Sequence, residues 1–390
     1  MKNKIKILVV FHDSIYNSGG TRSLLDLIDR LILEPSMEFV CLFPKETGSA
    51  IDYLRMKPVS IISCRYWYAT GPITVSCANK LLLQFKFVLG WLNIQRLIHK
   101  KLAFLDIDIV YSNTGVIFAG AWISEALHVP HIWHIREFLD EDHGIKPLMG
   151  WNNYYKHINK RATIVVMISE ALKKKHMKGI SGDKIRVIHD DLSPSYLLKQ
   201  EKPWEFRKQN ILFAGTICEG KGQIVAIKAL ALLRKKEIFP KLFIAGMVKE
   251  RDQYYYEILQ KEITDNHLSD QVEFLGQVEN LSEIRTKCGI GIVASRSEAF
   301  GRVTIEGMLA DMVMIGADAG GTTELIFDGI NGFLFPFNNS YRLAEILNNV
   351  LTSSSEDTAT IRAEALKIGK EFIQGKCADQ IGKLFMDCIK

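Results

Sequence analysis

An α/β chain built as two doubly wound domains is the architecture the sequence predicts, and three observations predict it. Short β-branched runs alternate with longer helical segments, as parallel βαβ units require. The same alternation restarts in the second half of the chain. At 390 residues the chain also exceeds what one hydrophobic core usually organises.

Taken in order, strands are expected at 5–11, 39–43, 107–111, 163–168 and 185–188 in the first half. Residues 130–137 end a further strand pattern, in which alternation sends His134 and Arg136 to one face. In the second half strands are expected at 211–214, 242–245, 272–275, 290–294 and 313–315. The segment between the halves is rich in Pro, Ser, Lys and Glu without a sustained apolar period, so it reads as a linker. The expected division is a first domain at 1–190, a linker at 191–209, a second domain at 210–370 and a helical C-terminal segment at 371–390. Ligands of doubly wound sheets bind beyond the carboxyl ends of the strands, so two facing domains would make a cleft.

With 47% apolar and 24% charged residues, the composition is that of a folded globular protein. The seven cysteines are scattered and lack the C-x-x-C spacing of zinc or redox sites, so reduced thiols are expected. Lys2 and Lys4 precede an apolar run at 5–11 that is too short for a signal peptide. The longest apolar candidate, 81–92, is interrupted by Gln84 and Lys86, and no membrane span is expected. The net charge of +5 is mild, but no acidic residue occurs from Tyr53 to Leu105, where many lysines and arginines fall.

The strongest chemical signal is Ser297-Glu298-Ala299-Phe300-Gly301-Arg302-Val303-Thr304-Ile305-Glu306, which follows the strand at 290–294 and opens a helical pattern. A helix N-terminus after a glycine-containing loop offers backbone N–H groups and partial positive charge, which suits a diphosphate, here near Phe300, Gly301, Arg302 and Val303. Glu298 and Glu306 add carboxylate acceptors for sugar hydroxyls. A second signal is Gly215-Thr216-Ile217-Cys218-Glu219-Gly220-Lys221-Gly222, a glycine-rich turn after the strand at 211–214. It brings Lys221 to the strand edge, where a cation can neutralise charge on a departing diphosphate. Gly19-Gly20 follows the opening strand but does not form the G-x-G-x-x-G dinucleotide fingerprint.

These motifs resemble the retaining glycosyltransferases of family 4, the glycosyl transferases group 1, which have the GT-B fold. Glu298 and Glu306 are separated by seven residues with Phe300-Gly301 inside, and Gly320-Gly321-x-x-Glu324 follows downstream. The resemblance implies two Rossmann-like domains facing across a cleft, the first binding acceptor and the second binding donor, with the C-terminal helix crossing back to the first. It implies that Glu306 holds the ribose hydroxyls, Glu298 the donor sugar and Lys221 the leaving diphosphate. Gly19, Gly20, Gly215 and Thr216 would line the donor phosphates. The family often carries an arginine where this chain has Thr216, so Arg302 or Arg136 would supply the missing charge. His followed by Asp is common where this chain has Arg136 and Glu137, which points to His134 as the residue meeting the donor sugar. Ser169 matches another family position.

The implied reaction moves a hexose-type sugar from a nucleotide diphosphate sugar, UDP-sugar foremost, to a glycan or lipid-linked acceptor in cell-surface polysaccharide synthesis. It retains anomeric configuration by front-face attack. Diphosphate charge is left to Lys221, Arg302 and helix N–H groups, and no metal or other cofactor is expected. The alternatives are a catalytically silent GT-B subunit that binds glycan or a partner enzyme, and a GT-B nucleotide-sugar epimerase. A sugar phosphorylase would need a lysine for pyridoxal phosphate, and a nicotinamide enzyme would need the missing fingerprint. The expected location is cytoplasmic and peripheral at the inner face of the cell membrane, through an anionic surface contacting 53–105; nucleic acid is not an expected partner.

Overall fold

The computed structural model describes residues 4–199 and 202–389. Lys2, linker positions 200 and 201, and Lys390 of the C-terminal segment lie outside the described residues. The chain divides into two compact units, one formed by the residues up to Asp191 together with Gly375 onward, the other by Leu192–Gln374.

The first unit contains strands β1 (Ile5–Val10), β2 (Met37–Phe43), β3 (Ser60–Ser63), β4 (Thr70–Pro72), β5 (Ile109–Ser112), β6 (His131–Ile135), β7 (Ile145–Pro147), β8 (Ile164–Met167) and β9 (Ile185–Val187). Among the described residues, seven of these form one parallel sheet in the order β3-β2-β1-β5-β6-β8-β9, and β4 and β7 pair antiparallel beside it. A parallel sheet is covered on both faces, which is why Ile7 to Val10 of β1 are all buried rather than alternating. The core on one face joins Ile7 and Val9 to Leu24 and Ile28 of the helix Gly19–Leu31 and to Cys377, Ile381 and Phe385 of the last helix, Lys376–Ile389. Phe385 stands edge-on to Tyr111 of β5 at 5.6 Å between ring centroids, and the Asp191 carboxylate accepts from the Ala378 backbone N–H at 3.1 Å. The C-terminal helix is therefore part of the first unit's core.

The second unit contains β10 (Asn210–Ala214), β11 (Lys241–Ala245), β12 (Val272–Gly276), β13 (Ile290–Val293), β14 (Val313–Ala317) and β15 (Phe333–Phe335), parallel in the order β12-β11-β10-β13-β14-β15. Its core packs Ile211 and Phe213 with Val225, Ala229 and Leu233 of the helix Gln223–Arg234 and with Leu343 and Leu347 of the helix Ser340–Thr352.

Of the segment read as a linker, the described residues 192–199 and 202–209 belong to this second unit. Trp204 and Arg207 are buried, Arg207 binds Asp311 at 2.5 Å, Lys208 Nζ donates to the Ser353 carbonyl at 2.8 Å, and the Leu192 N–H donates to the Phe372 carbonyl at 2.7 Å. Its polar composition reflects side chains that anchor the segment through hydrogen bonds, which an apolar period does not register.

Candidate active site

In both sheets the strand order reverses at one place, between β1 and β5 in the first unit and between β10 and β13 in the second. The crevice outside the carboxyl ends of strands at such a reversal is where open α/β sheets bind ligands. The residues singled out from sequence lie near these two places, except Ser169, which follows β8 and caps the helix Glu170–His176 by accepting from the Leu172 N–H at 3.1 Å.

In the second unit, β10 ends at Ala214, and the chain turns through Gly215 and Glu219–Lys221 into Gly222, the residue before the helix Gln223–Arg234. Gly222 has φ +76°, and a Cβ there would lie 2.4 Å from the Ala294 carbonyl oxygen at the end of β13. Only glycine allows this approach. The Arg296 N–H also donates to the Gly220 carbonyl at 2.9 Å, so the turn is fastened to the loop after β13. Lys221 Nζ consequently donates to Glu298 Oε2 at 2.7 Å, and Ser295 Oγ donates to the same oxygen at 2.8 Å. Both charged side chains keep partial exposure, 32% for Lys221 and 19% for Glu298, so a ligand can reach them.

Gly320 and Gly321 hold this loop from the other side. A Cβ at Gly320 would lie 2.6 Å from the Glu298 carbonyl oxygen, and the Gly321 N–H donates to that oxygen at 2.6 Å. Gly301, at φ +105°, then opens the helix Arg302–Leu309, whose N-terminus follows the Glu298 loop directly. Phe300 is buried edge-on against Phe372, so its ring is packing, and Val303 is half-buried. Thr216 is half-buried, and its carbonyl accepts from Gln223 Nε2 at 3.0 Å.

Glu306 is buried, and Oε2 accepts a hydrogen bond from Arg285 of the short helix Ser282–Lys287. Arg302 Nε lies 4.0 Å from Glu306 Oε1, and both guanidinium groups face the Tyr196 ring, at 5.7 Å for Arg285 and 6.0 Å for Arg302. Sequence reading did not find Arg285, because one arginine in a short polar helix has no motif around it.

In the first unit, Gly19 and Gly20 are the first turn of the helix Gly19–Leu31 and not a separate loop. Gly20 accepts from Asn113 Nδ2 at 2.7 Å through its carbonyl, and a Cβ there would lie 3.2 Å from His12 Cε1. His12 Nε2 lies 3.1 Å from Asp13, which also accepts from Thr21 Oγ1 at 2.6 Å. Burial alone would raise the Asp13 carboxyl, but the hydrogen bond and charge of His12, with Thr21 and Ser18, hold it well below the usual carboxylate range.

His134 and Arg136 do share a face of β6 and its continuation, with Arg136 Nη2 3.3 Å from His134 Nδ1. Arg136 is buried and committed: Nη1 meets both Asp190 oxygens at 2.6 and 2.5 Å, and Nε meets Asn113 at 2.7 Å. Burial, reinforced by the Arg136 charge, pushes His134 well below the usual histidine range, so the ring is neutral. With the arginine and the Tyr111 hydroxyl, at 2.5 Å, both facing Nδ1, that nitrogen is the acceptor and the proton sits on Nε2. His12, Asp13, Asn113 and Asp190 were not marked by sequence reading. Their common signal is position, since His12, Asp13 and Asn113 immediately follow strands flanking the reversal.

Residues 197–367 match the family model described as glycosyl transferases group 1. Through this region the chain is similar to the group 1 glycosyl transferases. Across the whole length the fold is GT-B: the structure is similar to Anabaena HepE, solved in complex with UDP and glucose, with a TM-score of 0.78, 21% identity, and 98% of this chain and 99% of that chain covered. An uncharacterized glycosyltransferase of Methanocaldococcus jannaschii is 26% identical over 290 residues, 72% of this chain and 75% of that protein. A Campylobacter jejuni α-1,4-N-acetyl-D-galactosaminyltransferase, named for its undecaprenol-diphosphate-linked glycan, is 29% identical over 154 residues, 38% of this chain and 41% of that protein. The Lys221–Glu298–Ser295 cluster and the Glu306–Arg285 pair both lie within the matched group 1 region.

Proposed function

We propose that this glycosyltransferase moves a hexose-type sugar from a UDP-sugar to a glycan or lipid-linked acceptor in cell-surface polysaccharide synthesis, with retention of anomeric configuration and without a metal ion. The observation that carries the reading is the fastening of Lys221 and Glu298 together at the β10/β13 reversal, directly before the N-terminus of the helix Arg302–Leu309. A diphosphate there would meet an ammonium group and helix N–H groups, and Glu298 would accept from a sugar hydroxyl. Glu306 would accept from the ribose hydroxyls. UDP in HepE and the lipid-linked glycan of the Campylobacter relative support the donor and acceptor classes.

Under front-face attack the anomeric carbon–oxygen bond to the diphosphate breaks as the acceptor oxygen bonds the same face, and the acceptor proton passes to the departing phosphate oxygen. Lys221 stabilises the charge that grows on that phosphate. Thr216 contributes no charge, so more of this work falls to Lys221 and the helix N-terminus.

The test incubates purified protein with UDP-glucose, UDP-galactose or UDP-N-acetylglucosamine in the presence of EDTA. Slow donor hydrolysis and, with acceptor, a product of unchanged anomeric configuration by proton NMR are expected. Nucleotide binding without turnover would favour a silent subunit, an inverted product would remove retention, and loss with EDTA would remove metal independence.

A further inference from the structure

The 24-residue helix Cys77–Lys100 of the first unit carries an apolar face that its own domain leaves uncovered. Its inner face is settled by packing. Phe87 lies 5.0 Å from the Trp122 ring, Gly90 closes on the backbone of Tyr66 and Trp67, and Ile94 and Ile98 are buried. At 100° per residue, Leu81, Phe85, Val88 and Leu92 point the opposite way. Leu81, Phe85 and Val88 are exposed by 66%, 59% and 51%, and along 77–89 no residue is buried. The sequence is apolar around nearly the whole helix because it has two apolar faces, and one of them faces solvent.

An uncovered apolar stripe of this length marks a contact surface, and the charge around it selects the contact. Tyr53 to Leu105 holds no Asp or Glu, while Lys80, Arg96, Lys100 and Lys101 are exposed along or just beyond the helix. Exposed Trp91 and Phe104 add rings that suit the boundary between headgroups and acyl chains. Among the described residues no helix is long and apolar enough to cross a membrane. We propose that this helix lies flat on an anionic membrane surface, with Leu81, Phe85 and Val88 entering the acyl boundary and the basic residues meeting lipid phosphates. Docking of this kind belongs to the first unit's surface and is independent of whether the second unit transfers sugar.

Flotation of the full chain with vesicles tests it. The protein should rise with an equal mixture of phosphatidylcholine and phosphatidylglycerol at low salt, stay behind with phosphatidylcholine alone, and be released by added salt. Joint replacement of Lys80, Lys86, Arg96, Lys100 and Lys101 by Gln should reduce the floated fraction at least about tenfold, since each contributes to attraction near the surface. Leu81→Ser with Phe85→Ser should reduce it as strongly while leaving the melting temperature and donor hydrolysis unchanged, because both side chains are already in water. Wild-type protein that ignores anionic vesicles at low salt overturns the proposal. So does a wild-type dimer that the Leu81→Ser, Phe85→Ser pair converts to monomer, which would assign the stripe to a second copy of the chain.

Discussion

Glu306 and Arg285 are both buried and bound to each other, so alanine at Glu306 removes the proposed ribose contact and strands a buried cation at once. Breaking one partner of such a pair costs about 3–5 kcal/mol. Glu306→Gln separates the two effects. It keeps the shape and a hydrogen-bond acceptor for Arg285 but not the charge, so kcat/KM for donor should fall roughly 10- to 100-fold, the equivalent of about 1–3 kcal/mol, with a smaller loss of melting temperature than Glu306→Ala. Glu306→Ala should also melt earlier, and adding Arg285→Met should recover part of that loss; additive stabilities in the double-mutant cycle would show that the pair is not coupled. Lys221→Ala should act differently. In the proposed reaction its charge is needed most as the diphosphate departs, so kcat should fall more than donor affinity, and equal loss in both would make Lys221 a binding residue only.

The turn that carries Lys221 depends on Gly222 for two separate reasons, left-handed backbone and contact with the end of β13, and Gly329 offers the comparison. Gly329 has φ +71° but nothing within 4 Å of where a Cβ would stand, whereas a Cβ at Gly222 would meet the Ala294 carbonyl at 2.4 Å. Gly329→Ala should therefore cost only the backbone term of about 1–2 kcal/mol. Gly222→Ala should cost clearly more and should also weaken UDP binding, both readable by thermal shift with and without nucleotide. The glycines and the buried strands were the legible part of the sequence. Runs such as Ile211 to Ala214 and Val313 to Ile315 are apolar throughout because both sheet faces are covered. The short edge strands β3 and β15, and the β4/β7 pair, were not legible, since three or four residues at an edge need no sustained pattern. Arg285 and Asp190 escaped for another reason: each matters through a partner more than 20 residues away, Glu306 and Arg136, and no local spacing encodes that meeting.

The two units should respond differently to acid, because the buried histidines all lie in the first. Burial pushes His131 down to about 3 and lowers His134 and His176 below the usual histidine range. The second unit's single histidine, His267, is exposed. A histidine whose folded-state pKa is depressed stays neutral in the native protein while the unfolded chain takes up a proton below about 6.5. Its contribution to stability is thus fully present above that pH and is lost as the pH falls. For His131 the loss amounts to about 1.4 kcal/mol between pH 7.5 and 5.5. His131 alone would lower a melting temperature by roughly 3–6 °C for a unit of this size, and His134 and His176 act in the same direction. Calorimetry from pH 7.5 to 5.5 should show the first unit's transition moving down while the second moves far less, and saturating UDP should raise the second alone. His131→Asn, which removes the titrating ring but can still bond Ser112 Oγ, should flatten the slope of the first transition. An unchanged slope would mean that His131 is protonated inside the folded unit, and the neutral network of the first sheet would have to be redrawn.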